Sequence, residues 1–157
     1  MIMPHWKKRE TVFSEYGFQV KMPGYWQLRP TNDPVRWQFR SADHKEQLTV
    51  ARGEAAGSEG GQAAMMRRAV TRNRRAVELG FGRVPDLELS EPEYGEQAGA
   101  PAGWYDGTAG EGSHRFRSLL LFSDQAVWSL FYESFKLSEA DAETRGREIL
   151  ESAFFSS

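Results

Sequence analysis

The ten residues AVWSLFYESF, at positions 126–135, predict a strand with apolar side chains on both faces. Side chains alternate between the two faces of a strand, so Val127 and Phe131 share one face. The other face carries Trp128, Leu130 and Tyr132. Such a strand is either covered on both faces or exposes an apolar patch. We favour coverage by helices on both faces, and the alternative is a groove for an apolar peptide or helix.

Alternating apolar residues elsewhere in the chain predict further antiparallel strands. In the second half, strands are predicted at 84–90, 102–108 and 114–122, with turns in GTAGEG (107–112) and SDQ (123–125). In the first half, a strand is predicted at 17–22, and VRWQFRS (35–41) and EQLTVAR (46–52) form a predicted hairpin. Residues 1–14 are expected to form a loose amino-terminal tail.

Two segments have the apolar periodicity of amphipathic helices. The first covers residues 62–79, with Gly80 as its carboxyl-terminal cap. The second begins at Ser138, which is spaced from Asp141 as in a capping box. The chain is therefore predicted to be one α+β domain spanning residues 1–157. Its expected architecture is an α/β/α sandwich with a largely antiparallel sheet of about six strands and helices on its faces.

The first predicted helix contains five arginines within nine positions, and these are candidate anion-binding residues. They are Arg67, Arg68, Arg72, Arg74 and Arg75. Residues 61–80 carry a net charge of +4, whereas residues 81–112 carry −6, so the next segment offers internal partners. A solvated face with local salt bridges is favoured, and an anionic ligand is the alternative. Nucleic acid is not expected to bind, because Asn73 is the one residue among these arginines that could contribute to base recognition.

Composition restricts the chemistry that the protein can perform. The 157 residues include no cysteine, which excludes disulfides, thiolate metal sites and cysteine nucleophiles. The net charge of −2 gives no overall attraction to nucleic acid. No apolar run is long enough for a signal peptide core or a membrane span. A cytoplasmic protein without a membrane partner is therefore expected.

Known catalytic and metal-binding patterns are missing from the sequence. The three histidines, His5, His44 and His114, lack the spacing of a metal site. Ser58, Ser113 and Ser118 lack the strand-turn-helix context of a nucleophile elbow. The GTAGEG segment lacks the Lys-Ser/Thr pair of a phosphate-binding loop. We therefore expect no catalytic residue, cofactor or metal ion.

The segment WYDG, at positions 104–107, places one acid in aromatic company. Asp106 followed by Gly107 is also a hairpin signal, and that interpretation is preferred. The alternative is a small-molecule-binding protein or hydrolase with a cleft near Trp104 and Asp106. Together with the double-faced strand, this segment supplies the candidate partner-binding residues. They are Trp104, Tyr105, Trp128, Phe131 and Tyr132.

Two stretches and the order of the elements resemble the PsbP/Mog-like superfamily, which includes the DcrB-like bacterial proteins. FQVKMPGYWQL (18–28) resembles the strand, Pro-Gly and Trp opening of that group, and REILESAFF (147–155) is similar to its terminal helix. The resemblance implies an α/β/α sandwich that is mostly non-enzymatic and binds protein partners. It thus implies an interaction module, such as an adaptor or a chaperone-like factor, whose protein partner is unknown.

Overall fold

The structure is a computed structural model of the chain, and it describes residues 9–54, 60–81, 86–123 and 126–156. These residues contain eleven strands and two helices. The strands are β1 (Glu10–Glu15), β2 (Phe18–Pro23), β3 (Trp26–Arg29), β4 (Arg36–Ser41), β5 (Glu46–Glu54), β6 (Glu88–Leu89), β7 (Glu93–Gln97), β8 (Ala100–Ala109), β9 (His114–Phe122), β10 (Ala126–Phe135) and β11 (Phe154–Phe155). The helices are α1 (Gly61–Gly80) and α2 (Glu139–Glu151).

The strands form two antiparallel sheets. The larger has eight strands, ordered β3-β4-β5-β10-β9-β8-β6, with β7 also paired to β8. The smaller sheet has the order β1-β2-β11. The largely antiparallel pairing is confirmed, but the expected number of about six strands is wrong. Three of the strands that were not predicted, β3, β7 and β11, are five residues or shorter, too short to show a clear alternation.

The amino-terminal prediction is wrong from residue 10 onward. Glu10–Glu15 form β1, which pairs with β2 along its whole length. Phe13 anchors this strand, because its side chain is only 5% exposed and packs into the core. One buried side chain in six residues is too weak a pattern to predict a strand from sequence. Residues 1–8 lie outside the described part of the chain.

The helix predictions agree with the structure to within a residue or two. Helix α1 includes Gly80, and Phe81 rather than Gly80 is its carboxyl-terminal cap. Helix α2 begins after Ser138, whose side chain accepts a hydrogen bond from the Asp141 N–H. The predicted strand at 84–90 is reduced to Glu88–Leu89 among the residues described there. The SDQ turn falls mostly outside the described residues.

Strand β10 lies in the middle of the larger sheet, and the two helices pack on its opposite faces. On one face, Trp128 and Leu130 pack against Ile149 of α2 and the smaller sheet. On the other face, Val127 packs beside the buried Val70 of α1. The favoured interpretation of the double-faced strand is therefore correct at these positions. The arrangement departs from a simple α/β/α sandwich because a second sheet shares the face that α2 covers.

A buried carboxylate holds α2 to the sheet. Glu46 of β5 is 5% exposed, and its Oε1 accepts a 2.8 Å hydrogen bond from the Tyr132 hydroxyl. The same oxygen lies 3.6 Å from Nε of Arg145 on α2. Burial raises the pKa of Glu46 above its ordinary value of 4.5, and the Tyr132 hydrogen bond and the charge of Arg145 only partly oppose this. Ionisation of this carboxylate in the folded protein therefore lowers the free energy of unfolding.

Replacing Glu46 with Gln is expected to remove a pH-dependent part of the stability. An acid whose pKa is raised by folding stabilises the fold most below its unfolded value of 4.5, and this contribution is lost as the pH rises through the folded pKa. Urea unfolding of the wild type and Glu46→Gln across that range measures the difference. We expect the variant to become relatively more stable toward neutral pH. A difference in the free energy of unfolding that is the same at every pH would contradict the raised pKa of Glu46.

Candidate functional site: a groove beside helix α2

A groove of about 420 Å³ lies between α2 and the part of the larger sheet formed by β6, β8 and β9. One wall is the face of α2 that carries Ala142 and Gly146, and the opposite wall is β6. Gly146 allows α2 to approach closely, since a Cβ there would lie 3.0 Å from the Tyr132 ring. The groove has the size of a typical ligand pocket. Its charged lining residues are Glu88, Asp106, Arg115, Arg117, Glu139 and Glu143.

Two ion pairs line the groove, one within the sheet and one between the sheet and α2. Asp106 on β8 stands opposite Arg117 on β9 in the strand register, and the Arg117 Nη1 to Asp106 Oδ1 distance is 3.2 Å. Nη2 of Arg115 lies 3.8 Å from Oε2 of Glu139 on α2. Because of these pairs the groove is polar, whereas the same face of the sheet is apolar beyond the groove. The arrangement is suited to holding a polar group in a fixed orientation.

Asp106 is a partly exposed acid of the groove, since 55% of its side-chain surface is accessible. Partial burial raises the pKa of Asp106 above its ordinary value of 3.8, and the Arg117 guanidinium opposes this. The preferred hairpin interpretation of Asp106-Gly107 is wrong, because both residues lie within β8 and pair with β9.

Replacing Arg117 with Gln is expected to raise the pKa of Asp106 further, since the nearest cation that favours the carboxylate is removed. A carboxyl-carbon NMR titration of Asp106 measures the change. The matched control is Arg147→Gln, which removes a more weakly acting cation and should raise the pKa of Asp106 less. A pKa that is unchanged or lower in Arg117→Gln would contradict the ion pair.

Arg115 is the least satisfied cation of the groove. Its Nε atom is buried and has no hydrogen-bond partner among the described residues. Its contact with Glu139, at 3.8 Å, is longer than a hydrogen bond. The Arg115 side chain is nevertheless 29% exposed, so the accessible part of its guanidinium can contact an oxygen atom of a ligand.

The five candidate partner-binding residues do not form one surface. Tyr105 lies under α1, whereas Trp128 and Tyr132 lie on the opposite side, and each is 2% exposed or less. Trp104 and Phe131 are half-buried. Of the five, Tyr132 contributes to the groove lining. The proposed cleft near Trp104 and Asp106 therefore exists at Asp106, while Trp104 and Tyr105 do not line it.

The arginines of α1 contact neighbouring segments through rings and a carbonyl oxygen. Arg67 lies over the Tyr94 ring at 5.3 Å, and Arg74 lies over the Tyr105 ring at 5.6 Å. Nη2 of Arg74 also donates to the Ser90 carbonyl at 3.1 Å. For these two residues the expected carboxylate partners in 81–112 are replaced by aromatic and backbone contacts. Arg68, Arg72 and Arg75 are exposed, and Arg68 makes an interaction of its own.

Asn73, the amide among these arginines, faces the protein. Its side-chain oxygen accepts hydrogen bonds from the Tyr105 hydroxyl at 2.5 Å and from the Ser118 hydroxyl at 3.0 Å. This amide is half-buried and its oxygen accepts from two internal donors, so reading a base through that oxygen would require breaking these hydrogen bonds. The position therefore secures α1 to β8 and β9.

The glycine-rich turn after β8 already holds an anion of its own chain. Gly110 and Glu111 have positive φ, and their backbone N–H groups donate to the Asp86 carboxylate. A phosphate bound by this turn would need the same N–H groups, which Asp86 already occupies. The contact with Asp86 therefore argues against a phosphate-binding loop here. Within the described residues no group of three or more His, Asp or Glu side chains could hold a metal ion.

Sequence reasoning missed Arg115 and Arg117, although a signal for them exists. HRFRSLLLF (114–122) begins with arginines on alternate positions and continues as an unbroken apolar run. This change from alternating arginines to an apolar run marks the position along β9 at which one face stops lining the groove and begins to line the core. The acidic residues on α2 could not be recognised as site residues from the sequence, because charged residues are common on the outer face of an amphipathic helix.

No protein-family model and no curated protein sequence matches the chain. Solved structures are similar to it in fold. The solution structure of cyanobacterial PsbP (CyanoP) from Synechocystis sp. PCC 6803 matches with a TM-score of 0.76 and 13% identity, covering 93% of this chain and 92% of that one. The crystal structure of LpqN, described as involved in cell envelope biogenesis of Mycobacterium tuberculosis, matches with a TM-score of 0.54 and 14% identity, covering 95% and 91%.

These similarities extend over nearly the whole chain at low identity, so they concern the fold. Neither of the two described helices has the length and apolar character needed to cross a membrane. The fold that the resemblance implied agrees with these matches, since the fold is similar to that of cyanobacterial PsbP. The described residues have a PsbP-like fold of two antiparallel sheets and two helices.

Proposed function

We propose that this protein is a non-enzymatic interaction module that holds a segment of a protein partner in the groove beside α2. The observation that carries the proposal is an open groove of about 420 Å³ whose charged lining comes from three strands and one helix. The residues that line it lie on the rigid sheet and on α2, so the site is largely formed before a partner binds.

The charges of the groove support a binding role more than a catalytic one. Asp106 and Arg117 form an ion pair at 3.2 Å, and Arg115 faces Glu139 at the longer distance of 3.8 Å. Such pairs orient polar groups of a ligand and give specificity by charge complementarity. Acid and base catalysis would instead need two titrating groups whose pKa values are pushed apart.

A pull-down from the lysate of the native source tests the proposal. The groove variant carries Glu88→Arg and Glu143→Arg, two exposed acids on opposite walls. The control variant carries Glu78→Arg and Glu151→Arg, which change the net charge equally at exposed positions outside the groove. We expect one specific protein to be retained by the wild type and the control variant and lost with the groove variant.

Equal retention by all three proteins would show that the partner binds elsewhere. Retention that depends on Arg72 and Arg75, and that falls steeply with salt, would favour the anionic ligand of the α1 arginines instead. If only a small molecule co-purifies, and is lost with the groove variant, the second candidate function is favoured. That candidate is small-molecule binding in the same groove, which its volume of about 420 Å³ permits.

An adaptor or chaperone-like role in the cytoplasm remains the prediction from sequence. The fold is shared with a protein described as involved in cell envelope biogenesis, so the compartment is to be measured rather than inferred from the fold. Fractionation of the native source with an antibody against the chain decides it.

A further inference from the structure

We propose that the segment held in the groove is basic, with an arginine or lysine side chain placed between the walls formed by β6 and α2. The inference rests on the proposed function and specifies the chemistry of the partner at the same site. It follows from the charge of the lining, from the way those charges pair, and from the unsatisfied Arg115.

The lining of the groove has an excess of negative charge. It contains four carboxylates, from Glu88, Asp106, Glu139 and Glu143, and the two guanidinium groups of Arg115 and Arg117, which gives a net charge of −2. The whole chain of 157 residues has the same net charge of −2. The negative charge of the groove is therefore far denser than that of the surface as a whole and attracts a cation.

The excess lies on the two walls rather than on the sheet between them. Arg117 compensates Asp106 and Arg115 faces Glu139 across the groove. On α2, Glu143 pairs along the helix with Arg147 at 3.1 Å, and its side chain stays 56% exposed. On β6, Glu88 is exposed and has no ion pair among the described residues. Glu88 is thus the unpaired carboxylate of the walls, and Glu143 is an exposed carboxylate that an incoming cation would share with Arg147.

Arg115 explains why a peptide fits better than a free cation. Its guanidinium makes one long contact, and its Nε has no acceptor in the described structure. A backbone carbonyl of a bound segment can accept from its accessible N–H groups, while the basic side chain of that segment meets the walls. An acidic segment could satisfy Arg115 but would bring its carboxylate against Glu88 and Glu143.

An NMR titration of the full-length, isotope-labelled protein tests the inference with two blocked peptides. One is Gly-Arg-Gly-Arg-Gly and the other has Glu in place of each Arg. We expect the arginine peptide to shift the amide signals of residues 88–90, 106–108 and 139–146. The groove variant should bind it at least about tenfold more weakly, since two wall charges become repulsive. The control variant should bind it like the wild type.

Three outcomes would overturn the inference. Preferential binding of the glutamate peptide in the groove would reverse the chemistry and leave the proposed function standing. Shifts confined to acids outside the groove, or equal affinity of the groove and control variants, would show that only general charge attraction acts. No groove shifts with either peptide would refute the basic segment, and the pull-down would then decide the proposed function independently.

Discussion

Replacing Trp128 with Ala is expected to lower the free energy of unfolding by about 3–5 kcal/mol, the usual cost of emptying a large aromatic site in a core. Trp128 is 1% exposed. Its ring stacks on Phe18 of β2 with centroids 4.4 Å apart and lies 6.0 Å from the Trp37 ring. It therefore joins the smaller sheet to the larger one. Urea or thermal unfolding followed by fluorescence and circular dichroism measures the loss.

This prediction separates a core role of Trp128 from the partner-binding role that the sequence suggested. The control is Tyr25→Ala, since Tyr25 is 64% exposed and its removal should change the free energy of unfolding by less than about 0.5 kcal/mol. If Trp128→Ala folded as stably as the control and lost only the captured partner, the ring would belong to an interface. The packing of the two sheets described above would then be incorrect.

Replacing Gly107 with Ala is expected to destabilise the protein by about 3 kcal/mol, at the upper end of the usual range for overpacking. A Cβ on Gly107 would lie 2.2 Å from Cε2 of Phe116 and 2.8 Å from Cδ2 of Leu89. Phe116 cannot easily move away, because it is 3% exposed and its ring stacks on Phe81 at 5.3 Å. Chemical unfolding of the purified variant gives the value directly.

Gly53→Ala is the matched control for this substitution. Gly53 also lies in a strand of the larger sheet, but an added Cβ there would meet only the Val127 carbonyl oxygen at 3.9 Å. We expect the free energy of unfolding to change by no more than about 0.5 kcal/mol, because restriction of the unfolded chain offsets small losses in the folded state. Equal effects of the two substitutions would show that the loss at Gly107 reflects general strand behaviour and not the contact with Phe116.

The helices and the long strands could be predicted from the sequence because their buried side chains recur in a regular pattern among residues that are close in the chain. The capping pair of Ser138 and Asp141 fixes the start of α2, and unbroken or alternating apolar runs mark β9 and β10. The double-faced pattern of β10 correctly indicated layers on both sides. These features depend on neighbours in the chain, so a single sequence contains them.

The site could not be predicted to the same degree, because it depends on which strands become neighbours. Asp106 and Arg117 are eleven residues apart and meet only through the pairing of β8 with β9. The Asp106-Gly107 pair looked like a turn, yet Gly107 is needed there to make room for a ring from the next strand. The buried positions of Trp128 and Tyr105 likewise follow from packing between distant segments, which residue type alone does not reveal.

Site-specific photo-crosslinking tests the central claim, that the groove beside α2 is where the partner binds. Glu143 on the groove wall, or Arg72 on the exposed face of α1, is replaced by a photo-crosslinking amino acid, and the protein is irradiated with its captured partner. We predict a covalent product with the partner from position 143 and none from position 72. A product from position 72 and none from position 143 would place the partner on the arginine face and contradict the account.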